Sequence, residues 1–362
     1  MQHTRNRDLD GVRGLAILLV MASHSGLPVR WGGLSGVTLF FVLSGYLITS
    51  LLLREWGRWG SVSLWRFWGR RAVRLLPALL LLLALVPLLL WATGDPRLAG
   101  HPVAALASVL YVGNWVRIAG TDLGVLNHLW SLSVEEQFYV VWPLVFIALM
   151  TWQRARAFGV VLTLAAVATF YSVWTQGTFI RLDISTETNV FALLLGVALA
   201  FGLAELASRG ITLPRANPLV PFVVLVAVSA FPGHGIEVDH PLFRPLGAVF
   251  ALMGVWLVYA ATAGHSRVVG SRLMVFFGTI SYALYLWHQT LINSLLLGEH
   301  SVPRNLALIA AAVLVSWLSW VLLERPLGRL REPLRLDQPS RRQRTFAERE
   351  KERDDSLSTS NV

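Results

Sequence analysis

The stretch DGVRGLAILLVMASHSG, residues 10–26, decides how the rest of the chain is read. Its centre is apolar enough for a membrane helix, yet Arg13 stands near one end and His24 near the other. Eleven residues separate them, and eleven steps of about 100° close to within roughly 20° of three full turns. Both side chains therefore lie on one helix face, about 16 Å apart along the axis. If Arg13 sits at the inner boundary, His24 lies near or just beyond the midplane of a hydrocarbon core about 30 Å thick. An arginine can snorkel to headgroups. A histidine at that depth is poorly explained by packing, and its side chain is the one best suited to proton transfer near neutral pH.

The composition agrees with a membrane reading. Of 362 residues, 55% are hydrophobic and only 14% are charged, well below the charged fraction of a soluble domain. Apolar runs of membrane-spanning length recur along the chain, so the expected fold is all-α, a polytopic membrane helix bundle. Cysteine is absent, which excludes a disulfide framework, a thiolate nucleophile and a cysteine metal site. No metal is expected. The formal charge of +10 requires no nucleic-acid partner, because cytoplasmic loops of membrane proteins are basic.

Hydropathy places spans at 9–27, 35–53, 75–93, 134–151, 157–174, 188–206, 217–231, 245–263, 275–297 and 305–323. The first reads as a retained span rather than a cleaved signal. Residues 101–118 contain His101, Pro102, Asn114 and Arg117, and read as re-entrant or interfacial. With ten crossings and a cytoplasmic N-terminus, only Arg30, Arg97, Arg117, Arg181, Arg244 and Arg304 fall outside, 6 of 31 basic residues. That asymmetry predicts both termini in the cytoplasm. Residues 1–330 form the membrane domain, and 331–362 form a charged cytoplasmic tail too polar to fold alone. No internal repeat of the transporter kind is evident.

Ionisable groups inside such helices are functional candidates. Arg66, Arg70, Arg71 and Arg74 form a connected basic surface where the third span begins, and arginine forks suit phosphate. In NHLWSLSVEEQFYVVWPLVF, residues 127–146, Ser133 and Glu136 have capping-box spacing. A second carboxylate, Glu135, is then unexplained. Adjacent helical residues point about 100° apart, so one of the pair faces the bundle centre, and Glu136 is preferred. Trp130, Tyr139 and Trp142 fit an aromatic belt. Ser44 sits beside Gly45, where helices can approach closely. With no acidic partner in its motif, Ser44 is a supporting residue rather than a nucleophile. His288 lies in an apolar helix and fits a structural hydrogen bond. Glu324 ends the last span.

Five stretches, LDGVRGLAILLVMASH, FFVLSGYLIT, RRAVRLLP, LWSLSVEEQFYVVWP and ISYALYLWHQ, follow in an order that resembles the acyltransferase-3 family of bacterial membrane O-acyltransferases. The resemblance covers roughly residues 8–327. It implies a multi-pass protein of the bacterial cytoplasmic membrane that moves an acyl group, often acetyl, from cytoplasmic acyl-CoA to a hydroxyl. Acceptors include lipopolysaccharide, exopolysaccharide, peptidoglycan, lipid-linked sugars and natural products. The family's arginine–histidine motif falls on Arg13 and His24, its arginine pair on Arg71 and Arg74, its acidic motif on Glu135 and Glu136, and its late carboxylate on Glu324. Some relatives carry a further esterase-like domain after the bundle. The charged tail here implies none, which removes the usual pointer to a two-step relay and a wall-polymer acceptor.

These assignments give a mechanism in which His24 is the general base, Glu136 orients it, and Arg13, Arg70, Arg71 and Arg74 hold the donor. Acyl-CoA, expected to be acetyl-CoA, is then a co-substrate, and no resident cofactor is required. Two other classes use buried histidine, glutamate and arginine. One is a proton-coupled transporter, and the other is a non-catalytic membrane partner in glycan assembly.

Overall fold

The structure is a computed structural model that describes residues 6–27, 29, 31–152, 156–231, 243–295 and 301–329. The tail expected at 331–362 lies outside the described residues. Within them, all regular structure is helical: α1 (Arg7–His24), α2 (Gly32–Trp59), α3 (Leu64–Thr93), α4 (His101–Val109), α5 (Gly113–Ile118), α6 (Trp130–Trp152), α7 (Ala157–Trp174), α8 (Phe179–Ile184), α9 (Thr186–Ser208), α10 (Leu219–Ser229), α11 (Phe243–Ala263), α12 (Arg272–Leu295) and α13 (Val302–Ser319).

Each of the ten predicted spans contains a helix, and all but the one at 217–231 have 18 residues or more. Seven stretches are long and apolar enough to cross a membrane: Gly32–Trp59, Leu64–Thr93, Gly124–Trp152, Ala157–Trp174, Phe179–Ser208, Arg244–Ala263 and Val302–Leu327. Helices α1, α10 and α12 fall outside that set. α10 has 11 residues, short of the ~20 that span a bilayer. α1 carries Arg7, Asp8, Asp10 and Arg13. The segment 101–118 is broken at Tyr111, whose φ is 53°, so α4 and α5 are each too short to span.

The charges of α1 belong to its end. The Asn6 side chain caps it, accepting from the N–H groups of Asp8 and Leu9 at 2.9 and 3.2 Å. Asp8 and Asp10 in the first turn complement the helix dipole. Asp8 also takes a hydrogen bond from His265 Nδ1 at 2.7 Å and one from the Ser266 N–H at 3.2 Å. Beyond this turn, α1 is buried on more than one side. Val12, Leu15, Ala16 and Leu19 enter a core with α2, α6, α9 and α11. Ile17, Val20 and Met21 enter a second core with α3, α4 and α12.

Two glycine contacts set the closest helix approaches. A Cβ on Gly14 of α1 would lie 2.1 Å from the Met274 carbonyl, and one on Gly278 of α12 would lie 1.9 Å from that of Asp10. Gly45 of α2 and Gly196 of α9 meet in the same way: a Cβ added to either would lie 2.0 Å from a facing carbonyl. Backbones at this range gain van der Waals contact that a larger residue would forbid. Gly32 and Gly36 of α2 face the Leu19 and Ala16 carbonyls of α1 at similar range, so α1 is held between α12 and α2.

Helix α6 begins earlier than its hydropathy suggests. A 3-10 turn, Gly124–Leu129, runs directly into Trp130. Ser133 is therefore inside the helix, where its hydroxyl donates to the Leu129 carbonyl at 3.2 Å. The capping box expected from Ser133 and Glu136 does not form, because the preceding turn already supplies the helix start. The expected aromatic belt is also corrected. Tyr139 and Trp142 are buried in the bundle, and the Trp142 indole N–H donates to Thr49 Oγ1 at 3.0 Å.

Candidate active site: two chambers meeting at Tyr285

Two cavities lie along α1. The smaller, about 120 Å³, is lined by Arg13, Arg71, Arg74, Ser44, Glu135 and Tyr139, and is called here the arginine chamber. The larger, about 710 Å³, contains His24, His128 and His288 and is the histidine chamber. Val37 and Tyr285 line both. Arg13 and His24, on one stripe of one helix, thus face different chambers.

The cations of the arginine chamber have anionic neighbours. Arg71 donates to Glu136 Oε1 at 2.7 Å, and its guanidinium carbon lies 3.3 Å above the Tyr139 ring. Arg13 is 3.6 Å from Asp10, one turn earlier. Glu135 accepts from the hydroxyls of Ser44 and Tyr139. Ser44 therefore has the acidic partner that its own motif lacks, brought from 91 positions away. Arg74 reaches the lining from a largely exposed position, whereas the half-buried Arg70 lies outside it.

The two carboxylates of α6 divide the roles. Glu135 is in the chamber wall, and Glu136 lies behind it on Arg71. The contact considered between Glu136 and His24 does not form, because Glu136 sits on the arginine side while His24 opens into the other chamber. Glu324 lies in a π-helical turn, Trp320–Glu324, outside both linings.

The histidine chamber is built around three imidazoles. The ring centroids of His24 and His288 are 5.1 Å apart, and those of His128 and His288 are 5.4 Å apart. Each ring donates one N–H to a backbone carbonyl: His24 Nδ1 to Val20 at 2.8 Å, His128 Nε2 to Leu286 at 3.1 Å and His288 Nδ1 to Tyr285 at 2.8 Å. A carbonyl only accepts, so these bonds fix the proton and leave the opposite nitrogen as a lone pair. Among the described residues, His128 Nδ1 and His288 Nε2 are buried without a hydrogen-bond partner. His24 Nε2 likewise carries a lone pair, in a residue that lines the chamber.

Tyr285 stands at the junction. Its hydroxyl donates to the His128 carbonyl at 2.8 Å and accepts from the Ser131 hydroxyl. Its ring packs beside both His128 and His288. Arg117 of α5, Asp183 of α8 and Arg244 of α11 also line the histidine chamber. Burial lowers the Arg117 guanidinium below its ordinary value.

Sequence reasoning did not select His128, Tyr285, Arg117, Asp183 or Arg244. Tyr285 and His288 had a usable signal, since residues three apart share a helix face. His128 stands seven residues before Glu135, inside a stretch already singled out. Arg117 and Asp183 come from the short helices α5 and α8 and Arg244 from the start of α11, and their spacing carried no signal.

The family model described as an acyltransferase domain matches residues 6–324. The chain belongs to this acyltransferase-3 family. It is 30% identical over 348 residues to "Peptidoglycan O-acetyltransferase OatA" of Listeria monocytogenes, covering 88% of this chain and 55% of the relative. It is 33% identical over 315 residues to a Staphylococcus aureus protein named "Putative O-acetyltransferase", covering 79% of this chain and 50% of the relative. "Putative peptidoglycan O-acetyltransferase YrhL" of Bacillus subtilis is 33% identical over 311 residues, covering 78% and 48%. The chain thus spans about half the length of the curated relatives it matches. No solved structure matches it significantly.

Proposed function

We propose that this chain is a multi-pass membrane O-acetyltransferase that moves an acetyl group from acetyl-CoA to a hydroxyl of a glycan. The observation that carries the reading is the pair of chambers meeting at Val37 and Tyr285, one basic and one holding imidazole lone pairs. Family membership and the names of the relatives support the reaction class and the glycan acceptor. The charge asymmetry of the loops supports ten crossings in a bacterial cytoplasmic membrane, with the arginine chamber toward the cytoplasm.

In this reading, the phosphates of the donor lie against Arg74 and the neighbouring basic surface of α3, which includes Arg70. The thioester enters past Arg13 and Arg71 toward Tyr285. An acceptor hydroxyl in the histidine chamber gives its proton to His24 Nε2 as its oxygen attacks the thioester carbonyl. The tetrahedral intermediate then collapses with cleavage of the carbon–sulfur bond. The imidazolium returns its proton to the departing thiolate, leaving an acetyl ester and free coenzyme A. The Val20 carbonyl fixes the required tautomer at the start and stabilises the imidazolium that follows.

The test uses the full chain in lipid nanodiscs with acetyl-labelled acetyl-CoA and a panel of glycans. Label appears as a glycan ester with the wild type and is lost with His24→Ala. Wild-type turnover by His24→Ala would overturn the assignment of the base. Glycan uptake or release by the same chain in sealed proteoliposomes, without consumption of acetyl-CoA, would point instead to a transporter.

A further inference from the structure

We propose that the histidine chamber recognises an acceptor sugar carrying one oxyanion, a carboxylate or a phosphate, held between Arg117 and Arg244. The proposal rests on reading this chamber as the acceptor site, and it names the kind of acceptor.

Charge gives the first argument. The described lining contains two cations, Arg117 and Arg244, and one anion, Asp183. With the three imidazoles neutral, the described lining carries one net positive charge, although Asp122, outside the lining, also attracts Arg117. Asp183 interacts electrostatically with both arginines, so it offsets their repulsion but cannot neutralise two charges.

Hydrogen bonding gives the second. Arg244 Nη1 donates to the Ser172 and Thr175 carbonyls at 2.5 and 3.2 Å. Its Nη2 is buried without a hydrogen-bond partner among the described residues. Arg117 Nη1 donates to the Asn127 carbonyl at 3.1 Å. Carbonyls orient a guanidinium without cancelling its charge. A partly buried cation with an unused donor is costly until an acceptor group arrives. Planar oxyanions match the guanidinium fork.

The rest of the lining suits a sugar. Trp130, Phe179 and Phe191 give apolar faces, while Gln289 gives an amide donor and acceptor and Asn189, whose nitrogen is spent on the Asp183 and Ser185 carbonyls, gives an amide oxygen. About 710 Å³ falls within the range of small-molecule sites. The anion-binding arginines and His24 share this one cavity, so the charge would select which sugar presents its hydroxyl to the base.

The experiment compares a glucuronic-acid disaccharide, its methyl ester and a disaccharide 1-phosphate, using the full chain in nanodiscs. Binding is measured by calorimetry without donor, and transfer is measured with acetyl-CoA. The acid or the phosphate should bind about tenfold to a hundredfold tighter than the ester, as expected for a charge-assisted hydrogen-bonded pair. Whichever is preferred identifies the oxyanion. Arg117→Gln and Arg244→Gln should bring the charged-to-ester ratio toward one. Asp183→Asn should raise it, an effect opposite in sign that misfolding cannot imitate. Equal affinity for all three ligands, or binding of none, overturns the proposal. A charged-ligand preference without acetyl transfer supports it and overturns the acetyltransferase reading instead.

Discussion

The two chambers share one helix and one tyrosine, yet they treat polar groups in opposite ways. In the arginine chamber, groups are committed to each other: Arg71 to Glu136, Arg13 to Asp10, and Glu135 to Ser44 and Tyr139. In the histidine chamber, each imidazole spends one nitrogen on a carbonyl and keeps the other. The pairing fixes the orientation of the Arg13 and Arg71 guanidiniums, while Arg74 reaches the same chamber from an exposed position. An uncommitted lone pair is what proton transfer requires. Under the proposed function, the contrast gives donor binding to one chamber, and acceptor binding and proton transfer to the other.

The sharpest way to break this division is to separate kcat from KM. His24→Ala should lower kcat by about 10²- to 10⁴-fold, the usual contribution of a general base, with little change in the KM for acetyl-CoA. A matching rise in donor KM would erase the distinction between the chambers. Steady-state transfer over a range of donor concentrations measures both.

Next in size is Arg71→Ala. It strands the buried Glu136 carboxylate, and breaking such a pair costs about 3–5 kcal/mol. Lower thermal stability in nanodiscs and a raised donor KM are expected. Arg71→Ala combined with Glu136→Gln should recover much of the stability but not the donor KM. Recovery of both would make the pair merely structural.

Tyr285→Phe tests the junction. It removes the hydroxyl that joins Ser131 to the His128 carbonyl, a loss of about 0.5–1.5 kcal/mol per hydrogen bond. The stability change should be small and both KM values little altered, while kcat falls several-fold because the wall between the chambers loosens. An unchanged kcat would show that the shared wall does not couple them.

The smallest effect lies outside both chambers. Arg97 holds the Asp95 carboxyl below its ordinary value of 3.8 and also donates to the Asn293 carbonyl at 2.8 Å. A depressed carboxyl stabilises the fold above its unfolded pKa, and that stabilisation fades as pH falls through the lower folded value. Asp95→Asn should therefore melt slightly below the wild type near neutrality. The gap should close as pH drops below 3.8. A gap that persists in acid would show that the ion pair is not its source.

Much of the fold was legible because apolar length and charge asymmetry are local properties. Ten segments could be placed, and the break within 101–118 was foreshadowed by its polar residues. Local patterning misled where an element's start depends on its neighbour. Ser133 and Glu136 have capping spacing, but the 3-10 turn before Trp130 moved the helix start four residues earlier. Tyr139 and Trp142 have belt character, but their side of α6 turns into the bundle.

The sequence by itself determined the membrane bundle, the family and the stripe joining Arg13 to His24, because helical periodicity and motif order act over short distances. Only the tertiary structure decided that the stripe opens into two chambers, and that Glu136 belongs to Arg71 rather than to His24. It alone brought Ser44 to Glu135 and placed Arg117, Asp183 and Arg244 in the lining of the cavity that His24 also lines. Those neighbours come from helices whose approach is set by glycine contacts and burial. No spacing along the chain encodes where such surfaces meet.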